Sequence, residues 1–267
     1  MHPDPAKILA IANQKGGVAK TTTAINLAAA LAELGRKVLL IDMDPQGNAS
    51  TGMGVSAEQR SKTVYDLLMG GVPVSDVAVQ GSAENVWVVP STADLSSSDV
   101  ELHTTARRVF LLRDALRGAG TSDGGFDHIL IDCPPALNLL TVNALVAADA
   151  VLVPLQCEFF ALEGLSQLLL TVRELRQTAN PGLRVEGVLL TMHDRRNNLS
   201  QQVERDARET LGNLVFRTVI PRNVRLSEAP SYAIPGLIYD PGSSGARAYR
   251  AFAREFLKAD CLELQEG

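Results

Sequence analysis

Two lysines five residues apart, Lys15 and Lys20, lie in a stretch suited to holding an anion: Lys15-Gly16-Gly17-Val18-Ala19-Lys20-Thr21-Thr22-Thr23. An apolar run precedes it and a helical pattern follows. Backbone N–H groups of a glycine-bearing turn converge on one spot, and the unpaired donors of the helix start add to them. Lys20 supplies a cation for the β- and γ-phosphates of a nucleotide, and the Thr21 hydroxyl can sit on Mg2+. Gly16, Gly17, Val18, Ala19 and Thr22 lend backbone to the same phosphates. Asp132 ends another apolar run, the place from which a carboxylate holds a magnesium shell. Asp42 and Asp44 follow a third such run. A glycine turn with solvated lysines, and aspartates that merely cap turns, are the plain alternatives.

These residues need elements to carry them. Apolar runs at 8–12, 37–42, 86–90, 128–132, 150–154, 185–191 and 214–220 read as strands, continuous enough to be buried on both faces. Helical patterns fill most gaps: to about Leu34 with Gly35 as its stop, then 64–68, 104–117, 137–147, 162–178, 199–211 and 244–258. Residues 118–125 read as a flexible turn, and 49–84, apart from 64–68, as excursions over the surface. Strands alternating with helices predict a doubly wound, mostly parallel α/β sheet of about seven or eight strands with helices on both faces, in one unit over 1–267. Asp44 and Asp132 then fall at the carboxyl ends of strands, where such sheets place ligands.

Composition narrows the classes. The chain has 267 residues, 46% hydrophobic and 21% charged, an ordinary globular balance. Cys133, Cys157 and Cys261 form no CxxC pair and the four histidines are scattered, so no metal cluster is expected beyond nucleotide-bound Mg2+. The first five residues lack the features of a signal peptide, and no apolar run reaches bilayer length, so a cytoplasmic protein without membrane attachment is expected. The net charge of −5 hides an asymmetry: residues 195–254 hold ten arginines, no lysine and five acids, a local +5 against −10 elsewhere. The pattern at 244–258 places Tyr249, Phe252 and Phe256 on one face, read as packing on the body. The tail ends in Asp260, Glu263 and Glu266, unlike a basic membrane helix.

The strict phosphate-loop pattern wants glycine where Gln14 and Ala19 stand. What matches is KGGxxK[ST], the deviant Walker A motif, and the chain resembles the ParA/MinD/nitrogenase-iron-protein superfamily of P-loop NTPases. Asp132-Cys133-Pro134-Pro135 resembles its DxPP segment. The run Ile220-Pro221-Arg222-Asn223-Val224-Arg225-Leu226-Ser227-Glu228-Ala229-Pro230-Ser231, with Leu190-Thr191-Met192 and Tyr239-Asp240-Pro241, is very like ParA/Soj partitioning ATPases. The likeness covers 8–258.

The resemblance implies an ATPase using ATP/ADP and Mg2+. By it, Asp44 orients the attacking water and stands near the metal, with Asp42 as a magnesium-shell or switch residue. Lys15 reaches across a two-fold interface to the partner's ATP, so a homodimer forms when ATP is bound. Pro221 and Asn223 line the adenine pocket, with Met192 nearby. Arg196 and Arg225, supported by Arg195, Arg222 and Arg247, contact double-stranded DNA without reading sequence. A ParB-like centromere-binding protein stimulates hydrolysis, and the protein associates with the nucleoid. The short lead before the first strand implies the small type without a helix-turn-helix domain. Members usually carry glycine at the position of Ala19. Either the loop takes a conformation alanine tolerates, or nucleotide binding is weakened. Rival readings are a MinD-like protein-positioning ATPase, a metabolic ATPase of the superfamily (iron–sulfur reductase or ligase), and a switch that barely hydrolyses ATP.

Overall fold

The computed structural model describes residues 6–96, 107–117, 125–158 and 161–266. Its strands are β1 (Lys7–Ile11), β2 (Val38–Asp42), β3 (Val79–Gln80), β4 (Val86–Val89), β5 (His128–Asp132), β6 (Ala150–Gln156) and β7 (Arg184–Thr191). They form one sheet in the order β3-β4-β2-β5-β1-β6-β7. Every neighbouring pair is parallel except β3 on β4.

The continuous apolar strands bury both faces because successive side chains alternate. Leu9, Leu40, Leu130 and Leu152 face one core, which holds helix α1 (Lys20–Glu33) and the C-terminal helix Ser244–Glu266. Ala10, Ile41, Ile131 and Val153 face the other, with Leu140, Ala144 and Leu145 of helix Leu139–Ala147 and Leu165 and Leu168 of helix Ala161–Thr178. The doubly wound sheet with helices on both faces is therefore present. Gly35, at φ 80°, ends α1 as expected. Tyr249, Phe252 and Phe256 are fully buried against the body, and their helix runs on to Glu266, beyond the expected end near 258. Its apolar stripe is consumed by packing. Among the described residues no helix is long and apolar enough to cross a membrane.

Three expectations change. Residues 214–220 do not form a strand. Beside β7 they make one isolated bridge, Val188 with Val215, and separate amide bonds from Phe216 to Val188 and from Ile220 to Leu190, and beyond them His193 bridges Pro221. The ladder breaks because the amides of Arg217 and Thr218 donate to the Glu255 carboxylate of the C-terminal helix, at 2.7 and 2.9 Å. The seventh strand is instead β3, an antiparallel edge within 49–84. That segment is no mere surface excursion: Val64, Leu67, Leu68, Val74 and Val77 belong to the core. Of the helix expected at 104–117, the described part is Leu111–Arg117. Residues 104–106 and the turn at 118–124 lie outside the described residues.

Candidate nucleotide site

Parallel pairing puts the carboxyl ends of β1, β2, β5 and β6 along one edge. Register then decides the neighbours: Asp132 of β5 pairs on one side with Ile11, which leads into the glycine loop, and on the other with Asp42. Asp132 is fully buried and neither carboxyl oxygen has a hydrogen-bond partner. Burial, then the Asp42 charge, holds it well above the usual carboxylate range, while the Thr21 hydroxyl and the Lys20 cation pull the other way. A buried acid with unused lone pairs is costly unless a cation completes it. Thr21 and Asp132 thus fit Mg2+. Among the described residues no group of three or more His, Cys, Asp or Glu could hold a metal alone, so the ion would arrive with phosphate oxygens.

Asp42 is equally buried but satisfied. Its Oδ2 accepts from the Ser50 amide at 2.8 Å and the Ser50 hydroxyl at 2.7 Å, and its Oδ1 from the Asp44 amide at 3.2 Å. Burial pushes its carboxyl up to about 6 against those bonds. This contact set ties β2 to the loop that follows. Asp44 is half-buried, and its Oδ1 accepts from the Gln46 amide at 3.0 Å.

The glycine loop is anchored at both sides. Asn13 Nδ2 donates to the Pro154 carbonyl at 2.8 Å, and Asn13 Oδ1 accepts from the Lys15 amide at 3.0 Å. Thr191 Oγ1 donates to the Val18 carbonyl at 3.1 Å. The sequence alone assigns no role to Asn13, Ser50 or Thr191, whose types gain one only when the fold brings distant carbonyls and acids to them. The two lysines separate. Lys20 is buried and donates to the Lys15 carbonyl at 3.2 Å. Burial lowers its pKa, while Asp132, Cys133 and Asp44 counter that. Lys15 lies 3.4 Å from Glu158, with a third of its side chain exposed. A cavity of about 260 Å³ opens beside the helix start, lined by Thr21, Thr22, Ile25, Asn48, Thr51 and Pro230.

Met192, Pro221 and Asn223 come together past the end of β7, because His193 bridges Pro221. Met192 sits at φ 51°. The Asn223 amide is already engaged: its Oδ1 caps helix Val224–Glu228, accepting from the Arg225 amide at 2.9 Å, and its Nδ2 donates to Ser244 at 2.9 Å. Arg196 is 93% exposed, and Arg222 lies near it, its amide bonded to the His193 carbonyl. Arg195 and Arg247 are exposed, whereas Arg225 pairs with Glu228 at 3.0 Å and Asp240 at 3.5 Å. Cys133 and Cys157 are buried, and burial pushes the Cys157 thiol up to about 12. The side chain of Cys261 lies outside the described residues.

A family model described as an AAA domain matches residues 6–185. The chromosome partitioning protein ParA of Caulobacter vibrioides is 56% identical to this chain over 97% of each. The sporulation initiation inhibitor protein Soj of Bacillus subtilis is 50% identical over 93% of this chain and 97% of its own. The chain belongs to the ParA/Soj family. Among solved structures, cobyrinic acid a,c-diamide synthase of Mycobacterium smegmatis, with bound ATP analogue and magnesium, matches with a TM-score of 0.81. Its identity is 39% over 95% of both chains. The doubly wound fold is thus one that this ParA/Soj chain shares with a nucleotide-binding neighbour.

In this ParA/Soj chain the departure at Ala19 resolves in one direction. The loop does not avoid the left-handed region: Ala19 lies at φ 67°, ψ 33°, and its carbonyl accepts from the Thr23 amide at 2.9 Å. A Cβ there costs on the order of 1–2 kcal/mol, partly offset by glycine's greater freedom in the unfolded chain. Ala19→Gly should therefore raise stability by about 1 kcal/mol, read as a higher urea midpoint at unchanged slope. A lower midpoint would show that alanine is unstrained here.

Proposed function

We propose that this chain is an ATP-dependent partitioning ATPase whose nucleotide state controls self-association and DNA binding. The loop amides from Gly16 to Thr22 and the Lys20 ammonium bind the phosphates. Thr21 and Asp132 hold Mg2+, which, when bound, supplies charge neutralisation across the phosphates. Asp44 orients the attacking water, and Asp42 ties that loop to the metal side. Met192, Pro221 and Asn223 wall the base, with the Pro221 ring as an apolar surface and the Asn223 backbone as its polar edge. Lys15 completes the partner's site in an ATP-bound sandwich dimer and places a second cation on charge developing at the γ-phosphate.

The observation that carries this reading is the split between the two lysines. Lys20 fills the loop from within, while Lys15 stands at the surface with only a long contact to a half-exposed Glu158. A cation that its own loop does not need is available to a second copy. The dimer would then bind duplex DNA through Arg195, Arg196, Arg222, Arg225 and Arg247 by salt-sensitive, sequence-tolerant phosphate contacts. A ParB-like partner accelerates hydrolysis and release. The ligase reading draws on the name of the synthase above, at lower identity than the partitioning relatives.

The test is binding to random-sequence duplex DNA with ATP, ADP or no nucleotide, for the wild type, Lys15→Ala and Arg225→Ala. Binding should need ATP, weaken about tenfold or more when salt is raised from 50 to 200 mM, and fall in both variants. No DNA binding in any nucleotide state would overturn the partitioning cycle and leave a protein-positioning or metabolic ATPase.

A further inference from the structure

Arg60 belongs to none of the motifs above, yet its guanidinium joins three separate pieces of chain. Nη2 donates to Thr51 Oγ1 at 2.8 Å and to the Val55 carbonyl at 2.9 Å. Nη1 donates to the Ser91 carbonyl just past β4, and Nε to Val55, both at 3.3 Å. The side chain is packed against Gly47, where a Cβ would stand 2.6 Å from Nη1 and 2.9 Å from the Ser91 oxygen. Gly47, at φ 63°, is the turn residue of the loop that carries Asp44.

Two short chains of bonds lead from this point to the acids. In one, Thr51 Oγ1 donates to the Gly47 carbonyl at 3.0 Å, and the Gly47 amide donates to the Asp44 carbonyl at 2.9 Å. In the other, the Ser91 amide donates to Ser50 Oγ at 3.0 Å, and Ser50 Oγ donates to Asp42. The remaining bonds of Asp44 are to its immediate neighbours, Asp42 and Gln46. Arg60 therefore gives the 44–51 turn a second fastening to the end of β4, beside the direct bond between Ser91 and Ser50. A water-orienting carboxylate must be held to a fraction of an ångström, and small misplacements of such groups cost rate rather than binding.

We propose that Arg60 is a positioning residue for ATP hydrolysis, bracing the Asp44 turn against the end of β4 through Thr51, Gly47 and Ser91. This rests on the assignment of Asp44 made above. Arg60→Ala should lower kcat by about 10- to 100-fold while the affinity for a fluorescent ATP analogue stays within about threefold. Millimolar methylguanidinium should restore part of the lost rate in Arg60→Ala and none in Asp44→Ala. A general loss of structure would not give that split or that rescue.

Asp44→Ala is assayed alongside. Wild-type kcat in Asp44→Ala overturns the parent reading and this role with it. A loss in Asp44→Ala with wild-type kcat in folded Arg60→Ala overturns the Arg60 assignment alone, as does an equal fall in kcat and affinity. Should Arg60→Ala fail to fold, Thr51→Val decides. It removes the hydroxyl that links Arg60 to the Gly47 carbonyl, leaving only the Thr51 amide's own 3.0 Å bond to it, and should lower kcat several-fold at unchanged affinity; wild-type kcat would overturn the proposal.

Discussion

Asp44→Ala is expected to bind ATP and hydrolyse it at least about 100-fold more slowly than the wild type, the usual scale for removing a group that manages the proton or water in the transition state. Binding should survive because the Asp44 carboxylate is no part of the phosphate cradle. Its charge in fact opposes ionisation of both Asp42 and Asp132. Removing that charge eases the crowding of acids beside Lys20, so affinity should hold or tighten. Single-turnover hydrolysis together with a nucleotide titration separates the two effects. Hydrolysis within about threefold of the wild type would remove Asp44 from the reaction. Weaker binding in proportion to the lost rate would make it a ground-state ligand instead.

The largest stability effect is expected at Phe252. Its ring is fully buried and packs edge-on against Phe216, with centroids 4.9 Å apart, and it also neighbours Phe256. Phe252→Ala removes that ring and leaves a void that Phe216 cannot fill, because the backbone on either side of Phe216 is held. The Phe216 amide donates to Val188, and the next amide donates to Glu255. The expected cost is about 3–5 kcal/mol, and a fall in melting temperature of roughly 5–10 °C. Calorimetry checks it. A loss under about 1 kcal/mol would mean that the C-terminal helix is not what holds residues 214–220 in place. The variant should also lose nucleotide affinity modestly, since α1, which opens at Lys20, meets the same helix through a 3.0 Å contact between Thr23 Oγ1 and the Tyr249 hydroxyl.

Much of this was legible in the chain itself. Lys15, Lys20, Thr21 and Asp132 mark the proposed phosphate site because their types and spacing are constrained by local geometry: a turn, a helix start, a strand end. The alternation of apolar runs and helical patterns fixed the doubly wound sheet, since a strand buried on both faces leaves no other partner than helices above and below. The stripe Tyr249, Phe252 and Phe256 likewise revealed a packed terminal helix before its partners were known.

Other features depend on contacts between residues far apart in the chain, which no local pattern encodes. Residues 214–220 have strand-like sequence, yet Glu255 takes the Arg217 and Thr218 amides, which lie between the two amides that bond β7. The β2–β5 register, not the motif, sets Asp42 against Asp132. Ala19 showed only that a glycine was missing; the fold showed that the position is left-handed. Arg60 is silent in sequence, because an isolated arginine in a polar loop gains meaning only when Thr51, Val55 and Ser91 converge on its guanidinium. Local chemistry named the phosphate loop and its acid. Long-range pairing decided how the acids, lysines and switch loop face one another.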